Sequence, residues 1–224
     1  MKKTLLALFS VALLAVAAPL AHASSITYDL MVDGCGGSGC GTPNAISGAP
    51  AGTFATVTLT QVGSNVTVLE TLASNIVFVG TGAGNALEFN SGGTIDASSI
   101  SAGYGIGPSP TKNGSFFGTF LDSISCTSCN GGSTTLPGPL SFTVDNVTLA
   151  DFANGSTKGY LFASDIGELN AAGNLVLATG EVGGGTGTPI PNPTPEPSSL
   201  MLLGTGVLGA AGLMRRRMAS AINR

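Results

Sequence analysis

From Thr53 to Val62 the chain alternates. Phe54, Thr56, Thr58 and Thr60 share one parity, and Ala55, Val57, Leu59 and Gln61 share the other. A period of two is that of a strand with one buried face. Gly63-Ser64-Asn65 supplies turn chemistry, and Val66 to Leu72 resumes the alternation, so the two runs are predicted to pair as a β-hairpin. Ser25–Val32 reads as an apolar extended run. Further strands are expected at Asn75–Val79, Ala86–Phe89, Ser115–Ile124, Leu140–Val144, Gly159–Ile166 and Leu175–Val182, separated by clusters of Gly, Ser, Asn and Pro. Abundant Thr and Val suit a pleated surface with one wet face. No stretch of this body shows sustained helical periodicity. Short strands at such spacing predict an all-β fold, an antiparallel β-sandwich or jelly roll, over residues 24–182. That length is enough for one domain with a sizeable core.

An apolar run flanks the body on each side. Residues 1–23 read as a secretory signal-peptide helix: Lys2 and Lys3, an apolar core from Leu5 to Ala18, and Ala21-His22-Ala23 as a small-x-small site cleaved after Ala23. At the other end Leu200 to Met214 holds no charge. As a helix it would be roughly 22 Å long, short of the ~30 Å hydrocarbon core. Adding Ser198 and Ser199 brings residues 198–214 to the lower edge of a short C-terminal transmembrane helix. Its glycines at 204, 206, 209 and 212 are tolerated in lipid. Arg215, Arg216 and Arg217 would hold their end in the cytoplasm by the positive-inside rule, leaving residues 218–224 as a short cytoplasmic tail and the body outside the inner membrane. Residues 183–194 read as a Gly/Pro-rich linker that keeps the body clear of the membrane.

Pro195-Glu196-Pro197, then Ser198-Ser199, then a Gly-interrupted apolar helix and an Arg cluster resemble the PEP-CTERM sorting signal over residues 195–217. The resemblance implies recognition by a membrane-embedded exosortase, removal of the tail, and a Gram-negative bacterium that makes an exopolysaccharide or biofilm matrix. The body is also similar to PEP-CTERM proteins at Gly52–Gln61, Gly82–Asn90, Leu136–Val144 and Gly159–Ile166. These segments imply the same fold and address and carry no mechanism.

Composition narrows the function classes. Between Ser24 and Thr194 the basic residues are Lys112 and Lys158, against eleven acids, a net charge of 2 − 11 = −9. Such a body repels nucleic acid, which requires clustered Lys and Arg. The one histidine, His22, leaves with the signal, so Ser-His-Asp, Cys-His and His-metal sites are excluded from the mature chain. Trp is absent, which removes the best sugar-stacking side chain. The cysteines fall as Cys35 with Cys40 and Cys126 with Cys129. In an exported chain an even count reads as disulfides with three possible connectivities, of which the local pairs are favoured over a cross-pairing; oxidation on export favours disulfides over a redox dithiol at Cys126–Cys129 or a Cys₄ zinc site. Pairs of acids, Asp145 with Asp151 or Asp165 with Glu168, could cleave glycosides but stand in no motif; capping of turns is the simpler role. The same acids could bind calcium, though no repeated Asp-x-Asp loop accompanies them. The glycines at 103, 105 and 107 lack a phosphate-loop lysine. The Asn-x-Ser/Thr triplets at Asn65, Asn113, Asn146 and Asn154 are no more than a chain rich in these residues gives by chance.

The sequence therefore predicts an exported, exosortase-sorted, non-catalytic protein without a cofactor. Its path leads through the inner membrane, through a transient anchor, to the cell surface or matrix. A polysaccharide-binding or adhesive module is the first alternative, and would need Tyr104, Phe116 and Phe117 on one exposed face. A carboxylate-based glycoside-active enzyme is the second.

Overall fold

The computed structural model describes residues 24–34, 52–81, 85–111, 116–185 and 190–191. Among them lie thirteen strands: β1 (Ser25–Asp33), β2 (Ala55–Val62), β3 (Asn65–Leu72), β4 (Ile76–Gly80), β5 (Leu87–Phe89), β6 (Thr94–Asp96), β7 (Tyr104–Ile106), β8 (Asp122–Cys126), β9 (Gly131–Leu136), β10 (Leu140–Asp145), β11 (Phe162–Leu169), β12 (Leu175–Gly184) and β13 (Ile190–Pro191). Two short 3₁₀ turns, Ala97–Ser99 and Leu149–Ala153, interrupt them. The fold is all-β, and the pairings between neighbouring strands are antiparallel.

The alternating hairpin forms in the register its pattern dictates. β2 and β3 pair from Ala55↔Leu72 to Val62↔Asn65 across the two-residue loop Gly63-Ser64. Gly63 adopts φ 63°, the left-handed conformation that the first loop residue of a primed turn requires. Ala55, Val57 and Leu59 of β2 and Val66 and Val68 of β3 are buried, so the apolar parity faces inward. Phe54 shares the threonine parity yet is buried, because it precedes the strand and its N–H already bonds Leu30 O at 3.0 Å.

The sheet does not lie flat. Its order is β6-β10-β3-β2-β1-β12-β11-β5-β8-β7, with β13 beside β1, β4 beside β11 and β9 beside β4. Six strand steps separate β10 from β5, roughly 29 Å in a flat sheet at ~4.8 Å per step. Yet the rings of Phe142 on β10 and Phe89 on β5 have centroids 5.4 Å apart. Only a sheet rolled back on itself brings them together. The two ends of the roll also meet: Ser101, just before β7, donates its N–H to Ser141 O of β10 at 2.9 Å. The enclosed core holds Phe78, Phe89, Phe142, Phe152, Phe162, Leu59, Leu87 and Ile124. β11 runs through the centre and is buried on both faces. Its outer side at Ala163 is covered by Phe117 and Phe120, a second and smaller apolar cluster.

Three expectations need correcting. The strand expected over Ser115–Ile124 begins only at Asp122; Phe116 and Phe117 sit in a turn, where their rings cap the outer face of β11 instead of joining a ladder. Of the residues expected in the linker, Gly183 and Gly184 belong to β12, and Ile190–Pro191 pairs with β1. Those glycines serve close approach: a Cβ on Gly183 would lie 2.4 Å from the Phe117 ring, and one on Gly184 only 2.1 Å from Asp29 O. The strands β6, β7, β9 and β13 appear where the pattern announced none. Among the described residues no helix is long and apolar enough to cross a membrane. The expected signal-peptide helix of residues 1–23 and the apolar helix of residues 198–214 lie outside the described residues.

Candidate functional site

The sorting residues Pro195, Glu196, Pro197, Arg215, Arg216 and Arg217, the cleavage residue Ala23, and Cys35 and Cys40 lie outside the described residues. Cys126 and Cys129 lie within the described body. Cys126 ends β8, Cys129 lies in the bend before β9, and a disulfide joins them with S–S 2.02 Å and Cα–Cα 5.4 Å. Cys126 is the last residue of a strand, and among the described residues no helix starts at it.

Three of the four paired acids are engaged by hydrogen bonds. Asp151 accepts from the N–H and hydroxyl of Thr148 at 2.7 and 2.9 Å, closing a capping box on the second 3₁₀ turn. These contacts hold its carboxyl below the usual aspartate range. Asp145, at the end of β10 opposite Thr94, is not joined to it by any of those contacts. On β11, Asp165 is buried and accepts from Thr81, from the N–H at 2.7 Å and the hydroxyl at 2.9 Å. Glu168, past an irregularity in the strand register, accepts from the Asn75 amide at 3.2 Å. Among the described residues no three His, Cys, Asp or Glu side chains are grouped as metal ligands.

The aromatic residues singled out from the sequence do not form one platform. Phe117 is fully buried and packs edge-on to Tyr160, with ring centroids 4.8 Å apart. Tyr104 belongs to the end of the roll, edge-on to Phe78, with its hydroxyl donating to Pro137 O at 3.3 Å. Only Phe116 is exposed, and the ammonium of Lys158 stands 5.6 Å from the centre of its ring.

Two surface features escaped the pattern reading. The outer face of β1, β2, β3 and β10 carries hydroxyls in register: Ser25↔Thr60↔Thr67↔Thr143 in one row, and Thr27↔Thr58↔Leu69↔Ser141 in the next, where the exposed Leu69 interrupts them. The Ser25 and Thr60 hydroxyls lie 3.3 Å apart, those of Thr27 and Thr58 3.0 Å apart. Where Leu69 and Thr71 end this face, an open groove of about 310 Å³ begins, lined also by Leu72, Ile76, Pro137 and Pro139. None of its lining side chains is charged. The parity of Thr56, Thr58 and Thr60 was the available signal for the rows; the groove depends on a loop meeting a strand end and has no local signature.

What decides the chain's affiliation is its tail. Residues 193–217 match the model of the PEP-CTERM protein-sorting motif. The chain carries a PEP-CTERM sorting motif. A PEP-CTERM motif implies export, transient anchoring through the C-terminal signal, and processing by an exosortase. The matched span takes in the Pro-Glu-Pro triplet, the apolar run and the Arg cluster in that order. No curated protein and no solved structure matches the chain. The PEP-CTERM match covers the tail and does not extend to the body.

Proposed function

We propose that this chain is a non-catalytic component of the cell surface or extracellular matrix of a Gram-negative exopolysaccharide producer, delivered there by exosortase processing. The observation that carries the reading is the sorting motif at residues 193–217. It is supported by a rolled body, of β-sandwich type in this reading, in which Asp151 caps a turn, Asp165 accepts from Thr81 and Glu168 accepts from Asn75. Intact mass of the protein from native cells, with and without the exosortase, tests it. Loss of residues 1–23 together with the segment after Pro197, dependent on that enzyme, is the expected result. A full C-terminus held in the inner membrane whatever the exosortase status would overturn it.

A second reading, contact with a neutral polysaccharide, is favoured by the hydroxyl rows alone. Each Ser or Thr hydroxyl both donates and accepts, as sugar hydroxyls do, and the two rows hold no charged residue in a body of net −9 that repels acidic polymers. Thr58→Lys, in the middle of the rows, is expected to weaken co-sedimentation with an insoluble neutral glucan about tenfold. Equal binding by the two proteins, or no binding by either, would remove this reading.

A further inference from the structure

β3 turns Val66 and Val68 inward, and the same parity carries Glu70 into the core. Glu70 is fully buried, with Val57 of β2 and Leu140 of β10 beside it in register, both themselves buried. Neither of its carboxyl oxygens has a well-formed hydrogen bond. The polar group that acts on it is the hydroxyl of Ser164, which reaches across the roll from β11. That hydroxyl has one proton and gives it to Ala86 O at 2.7 Å. Ser164 can therefore offer Glu70 only lone pairs, and a proton shared between the two must come from the carboxyl. The titratable neighbour is Tyr104 of β7, a neutral phenol raised above its ordinary value first by burial and then by the Glu70 carboxyl. The basic side chain among the described residues, Lys158, spends its ammonium on Phe116 O at 2.8 Å. An ionised carboxylate in such a place has lost water and gained no compensating donor.

We propose that Glu70 is held in the core as a neutral carboxylic acid and that its ionisation is a proton-linked release for the rolled sheet. Deprotonation would place a bare negative charge between the β2–β3–β10 wall and β11, which have no cation to offer it. Water must then enter, and the two walls must part, for the charge to be solvated.

The sign follows from linkage. Burial raises the acid well above the ordinary glutamate value of 4.5. Below 4.5 both the folded and the unfolded chain hold the proton, and the contribution to stability is fully present. As pH rises, the unfolded chain ionises first, and the folding constant falls by up to tenfold per pH unit until the folded form also loses its proton. Stability is thus lost toward alkaline pH, opposite to the usual salt-bridged carboxylate.

The test is denaturant unfolding of the full chain and of Glu70→Gln from about pH 5 to about pH 9, with infrared spectra of both at neutral pH. Wild type is expected to lose stability with rising pH more steeply than Glu70→Gln, by up to tenfold in the folding constant per pH unit. It should also show the carbonyl band of a protonated carboxylic acid, absent from the variant. Parallel pH profiles, or a spectrum without that band, would overturn the proposal. If Glu70→Gln does not fold, Glu70→Leu replaces it in the unfolding series, and the wild-type band decides on its own.

Discussion

Gly184→Ala is expected to destabilise the body by more than about 3 kcal/mol, beyond the usual range for overpacking. Gly184 pairs with Leu30 of β1 on one side and Phe162 of β11 on the other, so β12 is held from both edges there. An added Cβ would stand 2.1 Å from Asp29 O and 2.9 Å from Leu30 Cα, both backbone atoms of the partner strand. No rotamer change relieves a backbone clash, and moving β1 breaks its ladders with β12 and β2 together. Gly183→Ala makes an internal comparison, because the three atoms nearest its added Cβ all belong to the Phe117 ring, the first at 2.4 Å. Phe117→Leu in the Gly183→Ala background should recover part of the loss and leave Gly184→Ala unrescued. Denaturant midpoints of the four variants check this. A Gly184→Ala protein within about 0.5 kcal/mol of wild type would refute the close approach. With ordinary domains stable by only ~5–15 kcal/mol, the expected loss is a large part of the whole.

These glycines also show where the sequence stopped being legible. Gly183-Gly184-Gly185 reads as flexible linker because glycine has the same signature whether a chain needs freedom or proximity. What separates the two is a ring and a carbonyl contributed by Phe117 and Asp29, far away in sequence. The β2–β3 hairpin was legible for the opposite reason, since every piece of its evidence is local: alternation, turn residues and length. β6, β7 and β9 were missed because a strand of three residues, or one reading Gly-Gly-Ser-Thr-Thr-Leu, has no period to detect. Phe116 and Phe117 looked like strand residues by propensity, and tertiary packing over Ala163 placed them in a turn. Of the candidate sites, the sorting motif was legible as a contiguous string. The parity of Val66, Val68 and Glu70 already pointed the carboxyl inward, although nothing local said that no cation would meet it.

The rolled sheet couples strands that a flat sheet would keep apart. Phe89 packs against Phe142 at 5.4 Å and against Phe152 at 5.8 Å, and all three rings are buried. Phe89→Ala is expected to cost about 3–5 kcal/mol, the range for deleting a buried aromatic ring. A loss of that size alone would not reveal the shape of the sheet, because any enclosed Phe would give it. The informative quantity is the coupling between Phe89 on β5 and Phe142 on β10. In a flat sheet strands so far apart in the order would be independent, and the costs of separate substitutions would add to within about 0.3–0.5 kcal/mol. In the rolled sheet the rings touch, and a double-mutant cycle should return a coupling of about 0.5–1.5 kcal/mol beyond their separate burial. Leucine at both positions keeps the cycle measurable if alanine unfolds the chain. A coupling near zero, with both single variants destabilised, would mean that the two edges of the sheet enclose separate cores. The closure that buries Glu70 opposite Ser164 would then fail with it, since the same roll brings β3 to face β11.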